Sequence, residues 1–276
     1  MRSLFPNGLC ILFCSNKMKI LLCGGSGFIG SRLQKKIDCH IYDLVNGDDI
    51  RDKYKLDNLF SKERFDVVIN LAARAGVALG EEFYEEFFST NCIGLKTLIE
   101  VCDKYKAKLV HYSSSSAINA RSIYGITKLA GEKMIEASGI DYVIIRPFTV
   151  IGENGRKEMV LGKWLGQYQR GEKITFNGDG SSFRGYTYIG DLIDGTIMSL
   201  ELSRELINLG GNQKITLEEL WEIFKEIYPD AERNILPYPS WDELGESADI
   251  SRAKELLGWE PKTEIKSKIK EIWRLS

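Results

Sequence analysis

The stretch Lys19-Ile-Leu-Leu-Cys23-Gly24-Gly-Ser-Gly27-Phe-Ile-Gly30 decides the fold of this chain. Its apolar run is too short for a helix and has no polar alternation, the pattern of a strand buried on both faces. The glycines follow without a spacer, and the residues after Gly30 open a helix. A strand, a glycine turn and a helix in that order begin a βαβ unit. There, backbone N–H groups and the positive end of a helix converge at a point that no Cβ obstructs.

Outward from this stretch, short β-type runs recur at Lys19 to Cys23, His40 to Tyr42, Asp66 to Asn70, Lys108 to Tyr112 and Asp141 to Arg146, with Pro147 closing the fifth. Helical segments separate them, which predicts an α/β protein with a Rossmann-type doubly wound parallel sheet. In one linking helix Leu95, Leu98, Ile99 and Cys102 fall on a single face. Past Pro147 come glycine-rich turns such as Asn177-Gly-Asp-Gly180 and a capping box, Thr216-Leu-Glu-Glu219, ahead of the stripe Leu217, Leu220, Trp221 and Phe224. A last helix carries Ile265, Ile269, Ile272 and Trp273 on one face. The expected division is an extension over residues 1–17, a dinucleotide domain from 18–147 with about 187–211, and a small mixed α/β substrate-binding part from 148–186 with about 212–276.

With 37 basic and 39 acidic residues among 276, the net charge is −2, so no global field argues for nucleic acid or a membrane surface as partner. The six cysteines, at 10, 14, 23, 39, 92 and 102, show neither metal-ligand spacing nor a disulfide framework, and two histidines leave few other donors. No metal is expected, and the default setting is a reducing cytoplasm. No apolar run approaches the ~18 residues of a membrane span. The apolar patch Leu9 to Phe13 resembles a signal-peptide core, but one basic residue precedes it and no convincing cleavage site follows. Met18, directly before the first strand, reads better as the natural start of the folded unit.

Two constellations carry chemistry. Asp43 stands at the end of the second strand, sixteen positions past Gly27, where a carboxylate accepts from a ribose 2′-hydroxyl and repels a 2′-phosphate. The cofactor is therefore expected to be NAD rather than NADP; the rival readings are a turn that merely packs and an ordinary surface acid. The second constellation is Tyr124-Gly-Ile-Thr-Lys128, a phenol and an ammonium on one helical face. A neighbouring cation stabilises phenolate and brings tyrosine toward general-base work. The strand Leu109 to Ser113 runs into Ser114, Ser115 and Ser116 at the carboxyl edge of the sheet, where ligands of such sheets bind.

These residues together resemble the extended branch of the short-chain dehydrogenase/reductase superfamily, the NAD-dependent sugar-nucleotide epimerases and dehydratases. The resemblance extends through Asp49-Ile-Arg-Asp52, Leu71-Ala-Ala73, Asn91 with Gly94, Arg146-Pro-Phe-Thr-Val150, Arg184-Gly-Tyr-Thr-Tyr-Ile-Gly-Asp191 and Ala248-Asp-Ile-Ser-Arg-Ala-Lys254. Within the branch, Ala73-Arg-Ala-Gly-Val77, Phe148-Thr-Val-Ile-Gly152, Gly155-Arg-Lys-Glu-Met159 and Gly258-Trp-Glu-Pro-Lys-Thr263 are most similar to the UDP-glucuronate 4-epimerase subfamily.

The resemblance implies Ser115, Tyr124 and Lys128 as the catalytic residues. It places NAD along Gly24, Gly27, Phe28, Ile29, Gly30, Asp43, Asp49, Ile50, Leu71, Ala72, Ala73, Ser113, Tyr124, Lys128 and Pro147. A UDP-sugar would lie against Ser115, Ser116 and Tyr124, its carboxylate facing Thr149 and Arg156 and its diphosphate facing Arg184. The implied reaction is 4-epimerisation, most closely UDP-glucuronate/UDP-galacturonate interconversion through a 4-keto sugar. Other UDP-sugar 4-epimerases, a 4-ketoreductase, a decarboxylase and an NAD-sensing binding protein stay open as alternatives.

The family pattern also implies a homodimer through two helices, roughly Asn91 to Tyr105 and Tyr124 to Ala137, and the Leu95 to Cys102 stripe is compatible with that contact. Several features depart from the family. The step from Ser115 to Tyr124 is only nine residues, the stretch from Asp43 to Asp49 is abbreviated, Ala78 replaces an arginine, and Gly185 and Gly190 replace acids. Ser116-Ala117 stands where the dehydratases carry an Asp-Glu pair, which disfavours that activity.

Overall fold

Every residue of the first strand, β1 (Ile20–Cys23), is buried, because it pairs in parallel with β2 (His40–Tyr42) on one side and β3 (Val67–Asn70) on the other. The structure, a computed structural model, describes residues 18–238 and 245–275; the leader with Cys10 and Cys14 lies outside them. Between the strands run α1 (Gly30–Leu33) and α2 (Lys53–Lys62), and β3 leads into α3 (Val77–Glu82), α4 (Tyr84–Phe88), a π-helical turn over Ser89–Gly94 and α5 (Leu95–Tyr105). The chain then forms β4 (Lys108–Tyr112), a single-turn α6 (Ser116–Asn119), α7 (Ile123–Ser138) and β5 (Tyr142–Pro147).

Beyond β5 come β6 (Val150–Ile151), α8 (Val160–Gln169), β7 (Ile174–Asn177), β8 (Phe183–Gly185), β9 (Thr187–Tyr188), α9 (Ile189–Ser199) and β10 (Glu205–Leu209). The tail adds β11 (Lys214–Thr216), α10 (Leu217–Ile227), β12 (Arg233–Leu236), β13 (Gly245–Glu246), α11 (Ser251–Leu257) and α12 (Ile265–Arg274). The central sheet is parallel throughout, in the order β2-β1-β3-β4-β5-β10. The five early strands fall within a residue of the sequence expectation. The sixth, β10, enters from far along the chain and covers the outer edge of β5.

Pleating sorts the core into two faces. Leu21 and Cys23 point to one, packed with Leu56 and Phe60 of α2 and with α5. Ile20 and Leu22 point to the other, with Leu33, Leu192, Ile193 and Trp259. The stripe Leu95, Leu98, Ile99 and Cys102 belongs to the first face. It is internal core, so it is not the surface through which a second copy would dock: burial against the sheet has already used it. A third cluster holds the C-terminal elements together, with Trp164 stacked on Trp273 at 6.4 Å and edge-on to Phe224 at 5.7 Å. The expected capping box opens α10, as the Thr216 hydroxyl accepts from the Glu219 N–H at 3.1 Å and the Glu219 carboxylate from the Thr216 N–H at 2.8 Å.

The tail returns to the sheet before it ends. Ala253 of α11 and Trp259 pack into the second face, and the Trp259 indole donates to the Asp191 carbonyl at 3.0 Å. Among the described residues three small sheets accompany the central one, β6 with β9, β7 with β12, and β8 with β11 and β13. Among the described residues no helix is long and apolar enough to cross a membrane.

Two glycines set the geometry at the carboxyl end of β1. Gly24 has φ +80°, and a Cβ there would lie 2.7 Å from the Ala72 nitrogen. At Gly30 a Cβ would lie 2.3 Å from the Gly24 carbonyl oxygen, so the helix can start beneath the loop only without a side chain. Neither obstacle is a flexible side chain that could move aside. Gly30→Ala is therefore expected to lower unfolding free energy by about 2 kcal/mol or more, measured by urea denaturation.

Candidate active site

The carboxyl edge of the sheet opens between β1 and β3, where strand order reverses. Two loops meet there: the Leu71 N–H donates to the Cys23 carbonyl at 2.9 Å, and Ala72 and Ala73 follow along the rim. Asn70, buried at the end of β3, holds this rim by accepting from the Ala72 N–H at 3.1 Å. Gly27 is exposed, and a Cβ built on it meets only the Gly24 carbonyl oxygen, at 3.4 Å. Protein atoms therefore do not require glycine at this position. The open space over a turn of backbone N–H groups fits a pyrophosphate cradle.

Asp43 braces this cradle from the end of β2. Its carboxylate accepts from the Ser26 N–H at 2.8 Å and the Val45 N–H at 3.1 Å, which leaves lone pairs for a ribose hydroxyl. Leu44 and Val45 beside it are exposed apolar side chains that the sequence reading did not single out. Phe28 packs on the second face and reaches toward Gly152 and Gly155, while Ile29 precedes α1 as its N-cap. Asp49 and Ile50, both expected along NAD, are held in different ways. The Arg51 guanidinium grips Asp49 at 2.5 to 3.0 Å, and hydrogen bonding from it holds the Asp49 carboxyl below its usual range. Ile50 is buried in the core beside Gly94, so its side chain is not open to a ligand.

The second half of the site lies where β4 and β5 end. Ser115 donates its N–H to the Pro147 carbonyl at 3.1 Å, and Ser115 and Ser116 are both half-buried. α6 and three further residues then reach α7, so the nine-residue step is a tight double turn. A Cβ at Gly125 would lie 2.4 Å from the Ser116 carbonyl oxygen. Ser122 caps α7 by accepting from the Gly125 N–H at 3.1 Å, and Glu81 of α3 accepts from the Ile123 N–H at 2.9 Å. Tyr124 is half-buried on the first turn, edge-on to Phe87 at 6.2 Å.

One turn deeper, Lys128 is 4% exposed and its ammonium donates to the Tyr112 carbonyl at the end of β4. Burial pushes this lysine down to about 8, with Glu132 pushing back. The hydroxyl of Ser113, a residue expected along the cofactor, turns inward to the Glu132 carboxylate. Asn91, in the π-helical turn, accepts from the Arg74 N–H at 2.8 Å and donates to its carbonyl at 3.0 Å, fixing the rim beyond Ala73. Glu132 is the functional candidate that the sequence reading missed. Extending the Tyr124 and Lys128 spacing by one more turn leads to it.

The expected substrate side is looser. Arg156 crosses from the loop before α8 to donate to the Ala75 carbonyl at 3.3 Å, and it also pairs with Glu158 at 2.6 Å. Arg184 on β8 donates to the Phe183 carbonyl at 2.8 Å. A cavity of about 410 Å³ takes in Thr149, Arg156 and Tyr186 between α8 and α12. Ser115, Ser116, Tyr124 and Arg184 lie outside its lining.

The chain matches the model of the NAD dependent epimerase/dehydratase family over residues 20–210. It is 32% identical over 244 residues to a UDP-glucuronate 4-epimerase of Thermodesulfobacterium geofontis, covering 80% of this chain and 76% of that protein. A UDP-glucose 4-epimerase of Thermotoga maritima, solved with UDP-glucose, superposes with a TM-score of 0.86 at 28% identity, covering 94% of this chain and 99% of the other. A UDP-glucuronic acid 4-epimerase of Bacillus cereus, solved with UDP-glucuronic acid and NAD, gives 0.84 at 27% identity with the same coverage.

Burying Lys128 costs stability. Its proton affinity is lower folded than unfolded, so the cost is present in full below about 8 and fades as pH rises to the ordinary 10.5. Lys128→Met is therefore expected to be more stable than the natural protein by about 1–3 kcal/mol at pH 7, with the unpaired Tyr112 carbonyl offsetting part of the gain. Urea denaturation at pH 7 and pH 10 should show the advantage shrinking at the higher pH.

Proposed function

The chain belongs to the NAD dependent epimerase/dehydratase family, and from that premise we propose that it is a cytoplasmic nucleotide-sugar 4-epimerase interconverting UDP-glucuronate and UDP-galacturonate. The observation that carries the reading is the convergence at one sheet edge of an open glycine cradle, the Ser115–Ser116 turn, and α7 with Tyr124 above a buried Lys128. Residues 18–147 with 187–211 would hold the dinucleotide, and 148–186 with 212–276 the sugar nucleotide.

NAD is the family's cofactor. When bound, it supplies the hydride acceptor and donor that the chemistry needs at the sugar C4. The Gly24 to Gly30 loop would take its pyrophosphate, Asp43 a ribose, and Leu44 and Val45 the flat face of the adenine. Leu71, Ala72, Ala73 and Pro147 would form the remaining walls.

Tyr124, held as phenolate by the charged Lys128 one turn away, takes the proton of the C4 hydroxyl and becomes the phenol. Ser115 orients the hydroxyl and Ser116 the neighbouring sugar oxygens. Arg184 pairs with the diphosphate while Thr149 and Arg156 face the sugar carboxylate, since a guanidinium suits both groups. The 4-keto sugar has to rotate before reduction on its other face, and the short turn from Ser115 to Tyr124 leaves room for that movement.

A second reading, UDP-glucose as the sugar nucleotide, is favoured by one contact. Arg156 is already paired with Glu158, so an acidic sugar has to displace an internal carboxylate. For assembly we propose a homodimer through the outer sides of the π-helical turn with α5 and of α7. Ile93 at 57% and Ile126 at 42% exposure face outward there, independent of the buried stripe.

Incubation with UDP-glucuronate, UDP-galacturonate and UDP-glucose, with chromatographic separation of products, tests the reaction. No interconversion of any of them would overturn the proposal. Tyr124→Phe is expected to lower kcat by at least about a hundredfold with NAD still bound. Arg156→Ala is expected to raise KM for UDP-glucuronate by about tenfold or more while changing that for UDP-glucose little. Equal effects on both would favour the UDP-glucose reading.

A further inference from the structure

Tyr124, Lys128 and Glu132 follow one another at four-residue intervals on α7, so phenol, ammonium and carboxylate share a face of the helix. Glu132 is fully buried. Its carboxylate accepts from Arg146 Nε at 2.8 Å and Nη2 at 2.5 Å, and from the Ser113 hydroxyl. Arg146 lies one residue before Pro147 on β5, and Ser113 directly follows β4. One side chain thus ties the catalytic helix to both strand ends that form the reaction edge.

A buried ion pair is an expensive way to fasten a helix, since apolar side chains of equal volume hold as well or better. The surroundings of Lys128 suggest what else the carboxylate does. From β4 come the Tyr112 carbonyl and His111, whose proton affinity is held far below normal by burial, so the ring is neutral. From the π-helical turn comes Cys92, a thiol that burial keeps protonated. On α7 itself are Tyr124 and Glu132, and Arg146 shares the Glu132 carboxylate. Among the described groups facing this lysine, Glu132 is the one anion at neutral pH, and it opposes the effect of burial.

We propose that Glu132 is a positioning residue for Lys128: it seats α7 on the ends of β4 and β5 and supplies the buried negative charge that keeps Lys128 an ammonium during turnover. The use made of that charge rests on the epimerase reading, but the charge itself can be measured without substrate.

The test is a pH titration of the protein carrying ¹³Cε-lysine, followed by NMR, with the Lys128 signal assigned by its loss in Lys128→Met. In Glu132→Gln the Lys128 midpoint is expected to move to lower pH by about one unit. Glu132→Asp, which keeps the charge, should stay near the natural midpoint. If Glu132→Gln does not fold, Glu132→Gln/Arg146→Met removes both charges at once and leaves none uncompensated. It should show the same downward direction.

An unmoved midpoint in a folded variant lacking the carboxylate would overturn the proposal, as would equal shifts in the Asp and Gln variants. With an active UDP-sugar, the alkaline limb of kcat/KM should move by the same amount as the midpoint. A natural protein inert toward every UDP-sugar would refute the epimerase reading and leave the titration to judge Glu132.

Discussion

The carboxyl end of β1 has to be bare. β1 is buried on both faces and paired on both edges, so its chain can leave only through the end of the sheet, directly against the backbone that follows β3. The approach of Gly24 to Ala72 and of Gly30 to Gly24 meets that requirement with no side chain between. The consequences extend outward: α1 begins close under the loop, Gly27 is left over open space, and Asp43 closes the cradle through the Ser26 N–H. A dinucleotide crevice is thus a product of packing a fully buried strand as much as of any ligand.

The reaction edge follows a different logic. Lys128, Glu132, His111, Asn70 and Asn91 are all buried, and their polar atoms are largely satisfied by one another or by backbone. His111 Nε2 is an exception, with no hydrogen-bond partner among the described residues. Such a cluster is costly beside an apolar core of equal size. Within it burial lowers the proton affinity of Lys128 and Glu132 opposes that effect.

The expected substrate side is built from contacts of half-buried arginines. Arg156 spans from the loop before α8 to the Ala75 carbonyl, and Glu158 occupies part of its guanidinium. Exposed pairs of this kind are worth little to stability and exchange readily. A rigid cradle and a yielding sugar side suit a reaction in which the nucleotide stays in place and the sugar turns.

The sequence alone determined the parallel sheet, the glycine cradle with its acid, and the Tyr124 and Lys128 pair, because each is a local pattern with a short period or fixed spacing. The five early strands and the α10 capping box were legible for the same reason. Tertiary structure decided the rest. It showed β10 closing the sheet, Ile50 and the Leu95 to Cys102 stripe turned into the core, Ser113 turned toward Glu132, and Arg156 already paired. These outcomes depend on which distant elements meet: an apolar stripe can serve core or interface equally, and a serine or arginine has no partner until the fold brings one within hydrogen-bond reach.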